Sequence, residues 1–387
     1  MADTSTPPRR NANPRDPLDE LFLLVDRLPF VGSLRSDLGR LQTLLYQRRA
    51  ARLLALGTAR APRTELANAL LGKHALGAPP PADEWVHVVA SGTQLDWREQ
   101  RVELAPPPPD GVGLVRRAFG DARPDCVLLV LDADDALSAQ ALPLVIEDAA
   151  RTLAVLAEDG EKRPPMIAVL SRRAGDDDAR IEAARTALEK ALHGASLQDV
   201  AVIPLSSRIS WGPDGALRED AREHVDMLAE AIFEALPDAA RIEAGRAFPA
   251  ALEGRRRVAQ VVVHAASAVA LTVGLTPLPV ADAFVLVPLQ TLMVSSIAHL
   301  SGRPWRALAI SEWMASLGVA GGVGFGLRWV AQQAVKLVPG AGSIISASVA
   351  AAGTAALGHS AIAYFVDGVS GREARKHLTP PKARPAD

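Results

Sequence analysis

Gly57, Arg63 and Thr64 are the residues whose types and spacing could do chemistry, and that chemistry is the binding of a phosphate chain. They lie in RLLALGTARAPRTELANALLG, residues 52–72, where an apolar run passes through a short polar loop into a helical pattern. A phosphate-binding loop of the form G-x4-G-K-[ST] works because its glycines let backbone N–H groups curl around the phosphates. Its lysine reaches the outer phosphates and its hydroxyl binds magnesium. Gly57 holds the first position and Thr64 the last, but Pro62 replaces the second glycine and Arg63 the lysine. Proline fixes φ and has no N–H to give, and arginine presents a planar fork instead of a compact ammonium. Two readings stay open. One is a residual phosphate loop of Gly57, Arg63 and Thr64, with tight triphosphate binding lost. The other is a plain strand-to-helix loop, with Thr64 as an N-cap and Glu65 favoured by the helix dipole.

Other reactive side chains make weaker patterns. Asp132, Asp134 and Asp135 follow an apolar strand and could suggest a metal site, although acids at a strand end serve more often as caps. Asp176–Asp178 read as caps of the next helix, and His193, His224 and His264 lack ligand spacing. Cys126 reads as a small buried hydrophobe. No Ser–His–Asp set can be assembled, so no catalytic residue and no metal ligand is expected.

These side chains must be positioned by the elements around them. Short apolar runs at Leu53–Leu56, Trp85–Val89, Arg101–Leu104, Cys126–Leu131, Met166–Leu170 and Val200–Leu205 alternate with helical patterns at 63–72, 137–158, 178–193 and 218–236. The alternation predicts a mostly parallel sheet with helices on both faces. With 387 residues, 49% of them hydrophobic, there is material for two or three domains and sizeable cores. A net charge of −2 gives no reason to expect nucleic acid as a partner. The single cysteine suits a reducing compartment, and MADTSTPPRRNANPRDP has no apolar core of signal-peptide length, so a cytosolic start is expected.

ELANALLG, with Asn68, Ala69, Leu70 and Gly72, resembles the first helix of Era-type GTPases of the TrmE–Era family. DCVLLVLDADD (125–135), MIAVLSRRAGDD (166–177) and AVIPLSSR (201–208) are similar to that family's later strands, so the likeness covers roughly residues 50–236. The resemblance implies a P-loop-type α/β fold, with GTP and Mg2+ as the ligands to look for and GTP hydrolysis as the reaction if there is one. Its motifs are degenerate here. VELAPPPPDG, with Pro106–Pro109, stands where a DxxG switch should be, and four prolines form a stiff extended segment. Ser171, Arg172, Arg173 and Ala174 replace the base-reading N-K-x-D. Losing several parts at once is severe for a reaction that depends on positioning and charge.

The C-terminal third is different. No Asp, Glu, Lys or Arg occurs from Val258 to Ala281 or from Ala283 to Gly302, and further quiet stretches run from Trp313 to Leu327 and from Leu337 to Val366. A bilayer-spanning helix needs about 20 residues, so the first, second and fourth stretches qualify on length. Gly318, Gly321, Gly322, Gly324 and Gly326 permit close helix contact. Cations flank the stretches at Arg255–Arg257, at Arg303 and Arg306, and at Arg372, Arg375 and Lys376, which suits hairpins whose ends face the cytoplasm. A soluble alanine-rich bundle is the competing reading. The turn from Leu275 to Asp282, with PLQTLMVSSIAHLSG and LVPGAGSIIS, resembles the YcjF-type domain of unknown function, which implies membrane association.

The expected order is a disordered N-terminus (1–16), an amphipathic helical segment (17–50), a GTPase-like α/β domain (51–236), a helical connector (237–257), a YcjF-like hydrophobic helical domain (258–368) and a basic tail (369–387). A helix over 218–247 would carry signals between the halves. The expectation is a scaffold or recruiting protein, GTPase-like with an impaired site, on the inner face of a bacterial inner membrane. Its partners would be the lipid bilayer and another protein. A weakly GTP-binding switch and a soluble helical interaction protein are the alternatives.

Overall fold

The runs CVLLVLD and MIAVLS, buried at every residue, become central strands because only a strand covered on both faces can bury consecutive apolar side chains. The computed structural model describes residues 48–80, 84–90, 93–102, 123–157, 162–214, 216–275, 281–303, 307–317 and 343–378. Among them are β1 (Ala51–Gly57), α1 (Arg63–Leu71), β2 (Val86–Ala90), β3 (Thr93–Arg101), β4 (Cys126–Asp132), α2 (Ala133–Leu137), α3 (Ala141–Leu156), β5 (Met166–Ser171), α4 (Asp178–Gly194), β6 (Ala201–Trp211), β7 (Leu217–Glu223) and α5 (Val225–Ala235). The seven strands form one sheet in the order β2-β3-β1-β4-β5-β6-β7. β3, β1, β4, β5 and β6 are parallel, and β2 and β7 close the edges antiparallel. A mostly parallel sheet with flanking helices, followed by a helical region, resembles the P-loop GTPase fold.

Three elements differ from the sequence reading. The strand expected at Arg101–Leu104 is the polar TQLDWREQR of β3, of which Arg101 is the last residue; 103–122, with Pro106–Pro109, lies outside the described residues. The helix expected over 137–158 starts only at Ala141 and ends at Leu156, and Leu137 closes the separate short helix α2. Asp132 caps α2 by accepting from the Asp135 amide, and the Ser138 hydroxyl accepts from the Ala141 amide as α3 starts. The helix expected from 218 begins only at Val225, because Leu217–Glu223 pairs with β6 as a hairpin.

α6 (Asp238–Ala247), α7 (Leu252–Leu275), α8 (Ala281–Leu300), α9 (Ala307–Ser316), α10 (Ser343–Ala361) and α11 (Gly371–Ala374) follow. Leu54, Leu56, Val127 and Leu129 point to the sheet face covered by α3 and α4. Leu53, Ala55, Leu128 and Val130 point to the other face, whose core runs without a break through α1, α5 and α6 into α7–α10. The expected connector 237–257 is therefore part of that core, and Pro237 separates α5 from α6, so no single helix spans 218–247. Residues 1–47, 276–280 and the glycine-rich 318–342 lie outside the described residues.

Glycines set the closest approaches on this side. A Cβ on Gly254 would sit 2.5 Å from the Phe233 ring, and one on Gly245 would sit 2.5 Å from a Leu300 methyl. Gly358 of α10 likewise receives Val263 of α7. Among the described residues, two helical stretches, Leu252–Gly274 and Ser348–Val366, are long and apolar enough to cross a membrane.

Asn68, matched above to a family pattern, has a local structural job. Its side chain donates to the Leu76 carbonyl (2.8 Å) and accepts from the Ala75 and Leu76 amides (2.9 Å each), pinning the turn after α1. Gly72 ends α1 at φ +62°, a left-handed cap that glycine adopts without a Cβ penalty. Asn68→Ala strands these buried groups and is expected to cost roughly 2–3 kcal/mol, read as a lower urea midpoint. A midpoint unchanged from the wild type would refute this role.

Candidate functional site: the loop between β1 and α1

Gly57, Arg63 and Thr64 converge at the C-terminal end of β1. Gly57 is required by packing, since a Cβ there would lie 2.5 Å from the Val130 carbonyl oxygen and 2.7 Å from the Ala61 methyl. The loop then turns onto itself. The Arg60 amide donates to the Thr58 hydroxyl (3.3 Å), the Ala61 amide to the Thr58 carbonyl (3.2 Å) and the Arg63 amide to the Ala61 carbonyl (2.9 Å). Pro62, between them, has no amide hydrogen. Three of the amides that could face a phosphate, those of Arg60, Ala61 and Arg63, are spent inside the loop.

The side chains are spent as well. Arg63 Nη1 donates to the carbonyls of Gly57 (2.9 Å) and Thr58 (2.5 Å), and its Nε reaches Glu99 at 3.3 Å. The Thr64 hydroxyl donates to Glu99 Oε1 at 2.8 Å, an oxygen that also accepts from the Trp97 indole at 3.1 Å. Thr64 thus serves neither as a cap nor as an open hydroxyl; the N-cap residue is Pro62. Side-chain exposures of 12% for Arg63 and 6% for Glu99 make this a buried ion pair. In this arrangement Arg63, Thr64 and three of the loop amides face inward to protein partners.

Glu99 escaped the sequence reading. A signal was present, because Leu95, Trp97 and Glu99 alternate onto one face of β3 and the register sets Glu99 beside Ala55.

The neighbouring strand ends are closed by further pairs. The Thr58 hydroxyl donates to Asp135 Oδ2 at 2.6 Å, and burial pushes the Asp135 carboxyl above its ordinary range against that hydrogen bond. Arg173, just after the end of β5, pairs with Asp132 and, at 3.5 Å, with Asp134; Arg180 pairs with Asp134 and, at 3.3 Å, with Asp176. Arg172 pairs with Asp178 and, at 3.5 Å, with Glu223. Asp177 caps α4 by accepting from the Arg180 amide at 2.7 Å. The acids weighed as metal ligands are caps and ion-pair partners, and no group of three ligand-type residues among the described residues could hold a metal. Cys126 is fully buried, and burial pushes its thiol up to about 12.

A cleft of about 1120 Å³ lies at the opposite, N-terminal edge of the strands, lined by Arg49, Arg123, Asp125 and Arg163 among others. Arg49 is held there by Asp125 in a two-pronged pair at 2.7 and 2.5 Å.

Residues 249–380 match the domain of unknown function DUF697. No curated protein matches the chain. Among solved structures, the chain is similar to Toc33 from Arabidopsis thaliana in complex with Mg2+ and GMPPNP, at 15% identity over 55% of this chain and 94% of that one, TM-score 0.37. It is also similar to the cytosolic domain of the T. maritima FeoB iron transporter in its GMPPNP form, at 14% identity over 81% of this chain and 98% of that one, TM-score 0.29.

Proposed function

We propose that this chain is a GTPase-like scaffold or recruiting protein with an impaired nucleotide site, held at the inner face of a bacterial membrane by its C-terminal helices. The observation that carries the reading is the self-filled loop: the amides of Arg60, Ala61 and Arg63 bond within it, and the Arg63 guanidinium lies on the Gly57 and Thr58 carbonyls. A phosphate would have to displace the guanidinium and turn those amides outward. The membrane part of the reading rests on the two apolar helices of spanning length. On this reading the α/β body presents surface to a protein partner, and nucleic acid is not a ligand.

Calorimetry of the full chain with GTP and Mg2+ tests the loop. No saturable heat is expected at a Kd tighter than about 10 µM. A tighter value would favour the switch alternative, for which the convergence of Gly57, Arg63 and Thr64 at one strand end is the supporting observation. Fractionation with carbonate extraction tests the tether, and recovery in the soluble fraction without detergent would favour the soluble alternative.

A further inference from the structure

Three cationic clusters flank the apolar helices in the sequence, and the fold treats them differently. In the first, Arg256 pairs with Asp367 (2.6 Å) and Glu253 (2.5 Å), and Arg257 with Glu234 (2.5 Å) and Glu230 (3.2 Å). Arg255 donates to the Pro249 carbonyl. Glu230 also accepts from the Glu253 and Gly254 amides at the start of α7 (2.8 Å each). This cluster fastens α7 to α5. In the second, Arg303 pairs with Glu312 (3.0 Å) and lies over the rings of Phe365 and Tyr364 (5.5 and 5.7 Å).

The third cluster is left over. Ser370 and Glu373 close a capping box on each other and start α11, which puts Arg372, Arg375, Lys376 and His377 on a short, exposed helical turn. Among the described residues none of the four makes an ion pair, and Asp367 is taken by Arg256 and Glu373 by Ser370. That turn follows the apolar helix Ser348–Val366 and folds back alongside α10. His377 comes within electrostatic range of His359, which also feels His264 across the Val263–Gly358 contact. Toward the far ends of α7 and α10, no Asp, Glu, Lys or Arg occurs at 258–275 or 343–358.

We infer that Arg372, Arg375 and Lys376 form a docking surface for anionic phospholipid headgroups at the base of the α7–α10 pair. The argument is charge complementarity. Three cations without an ion-pair partner among the described residues sit beside helices of membrane length, whereas Arg255–Arg257 and Arg303 are consumed by the fold. The inference rests on the membrane association proposed above and adds the lipid class. A cation held at an anionic membrane surface strengthens binding by about fivefold, and three by about a hundredfold, with strong salt dependence.

The test is flotation of the full-length protein with phosphatidylcholine vesicles, and with the same vesicles containing phosphatidylglycerol, for wild type and the triple variant Arg372→Gln/Arg375→Gln/Lys376→Gln. The wild type is expected to prefer the anionic vesicles. The variant should lose that preference by roughly a hundredfold while keeping its partition into neutral vesicles and its thermal midpoint. Equal flotation of the wild type with both vesicle types, or an undiminished preference in the variant, overturns the inference and leaves the membrane reading intact. Flotation with neither vesicle type overturns both.

Discussion

Glu99→Ala is expected to lower the unfolding free energy of the full chain by about 3–5 kcal/mol, the range for breaking a buried pair by removing one partner. Glu99 takes hydrogen bonds from Arg63, Thr64 and Trp97, and its own side chain is 6% exposed. Without it the Arg63 guanidinium stays buried with only two carbonyls to face, and the Thr64 hydroxyl and the Trp97 indole lose their acceptor. Arg63→Leu/Glu99→Leu removes both charges and should recover most of the loss, because replacing a buried pair with packed apolar groups is often neutral. Urea unfolding followed by tryptophan emission reads both effects, since Trp97 is fully buried beside the pair. Equal midpoints for Glu99→Ala and wild type would show that the pair does not hold the loop closed, and with it would go the main support for the impaired-site reading. The double-variant arm isolates the unpaired charge, because a double variant as unstable as the single one would assign the cost to the stranded Thr64 hydroxyl and Trp97 indole and to packing.

What was legible in the sequence followed from burial pattern. The apolar runs of β4 and β5, the outline from β1 into α1 and the capped α4 all announce themselves, because an apolar run or an Asp before a helical period has few other uses. β3 was hidden because it buries charge: Arg98 and Glu99 are 1% and 5% exposed in a strand whose composition reads as surface. Arg63 and Thr64, which meet Glu99, come from another element, so no local pattern could reveal that pairing. β7 was hidden by propensity, since LREDARE contains good helix formers and its strand state comes from pairing with β6. At the site, the proline and arginine substitutions were visible, but not that the loop amides turn inward or that Glu99 takes the Thr64 hydroxyl. The flanking cations looked equivalent in one dimension, and only tertiary placement sorts them into used and unused.

The junction between the α/β body and the helices should be the acid-sensitive part of the molecule. Glu243 and Arg246 of α6 meet His299 at the end of α8 and Arg48 before β1. Arg246 approaches both ring nitrogens and Arg48 lies 2.9 Å from Nε2, so the ring is an acceptor and must be neutral. Burial, aided by the two arginine charges against the pull of Glu243, holds His299 below its ordinary value. Burial alone would push the Glu243 carboxyl up, but the His299 contact and the Arg246 and Arg48 charges hold it below its ordinary range. With the ring neutral, we assign that lowering chiefly to the arginines. A base whose folded value is depressed takes its proton first in the unfolded chain, so acid favours unfolding. Stability present above His299's ordinary value of 6.5 is lost as pH falls below it, and Glu243's share, present above 4.5, goes only in stronger acid. The thermal midpoint should therefore drop between about pH 7 and 5, and His299→Gln should flatten that drop. Glu243→Ala, which leaves Arg246 at 5% side-chain exposure facing a neutral ring, should cost about 3–5 kcal/mol at pH 7. It should also speed hydrogen exchange in α8 before the sheet opens. A pH slope unaltered by His299→Gln would exclude the ring as the titrating group, and α8 exchange in step with β4 in Glu243→Ala would mean that this contact is not what joins the two regions.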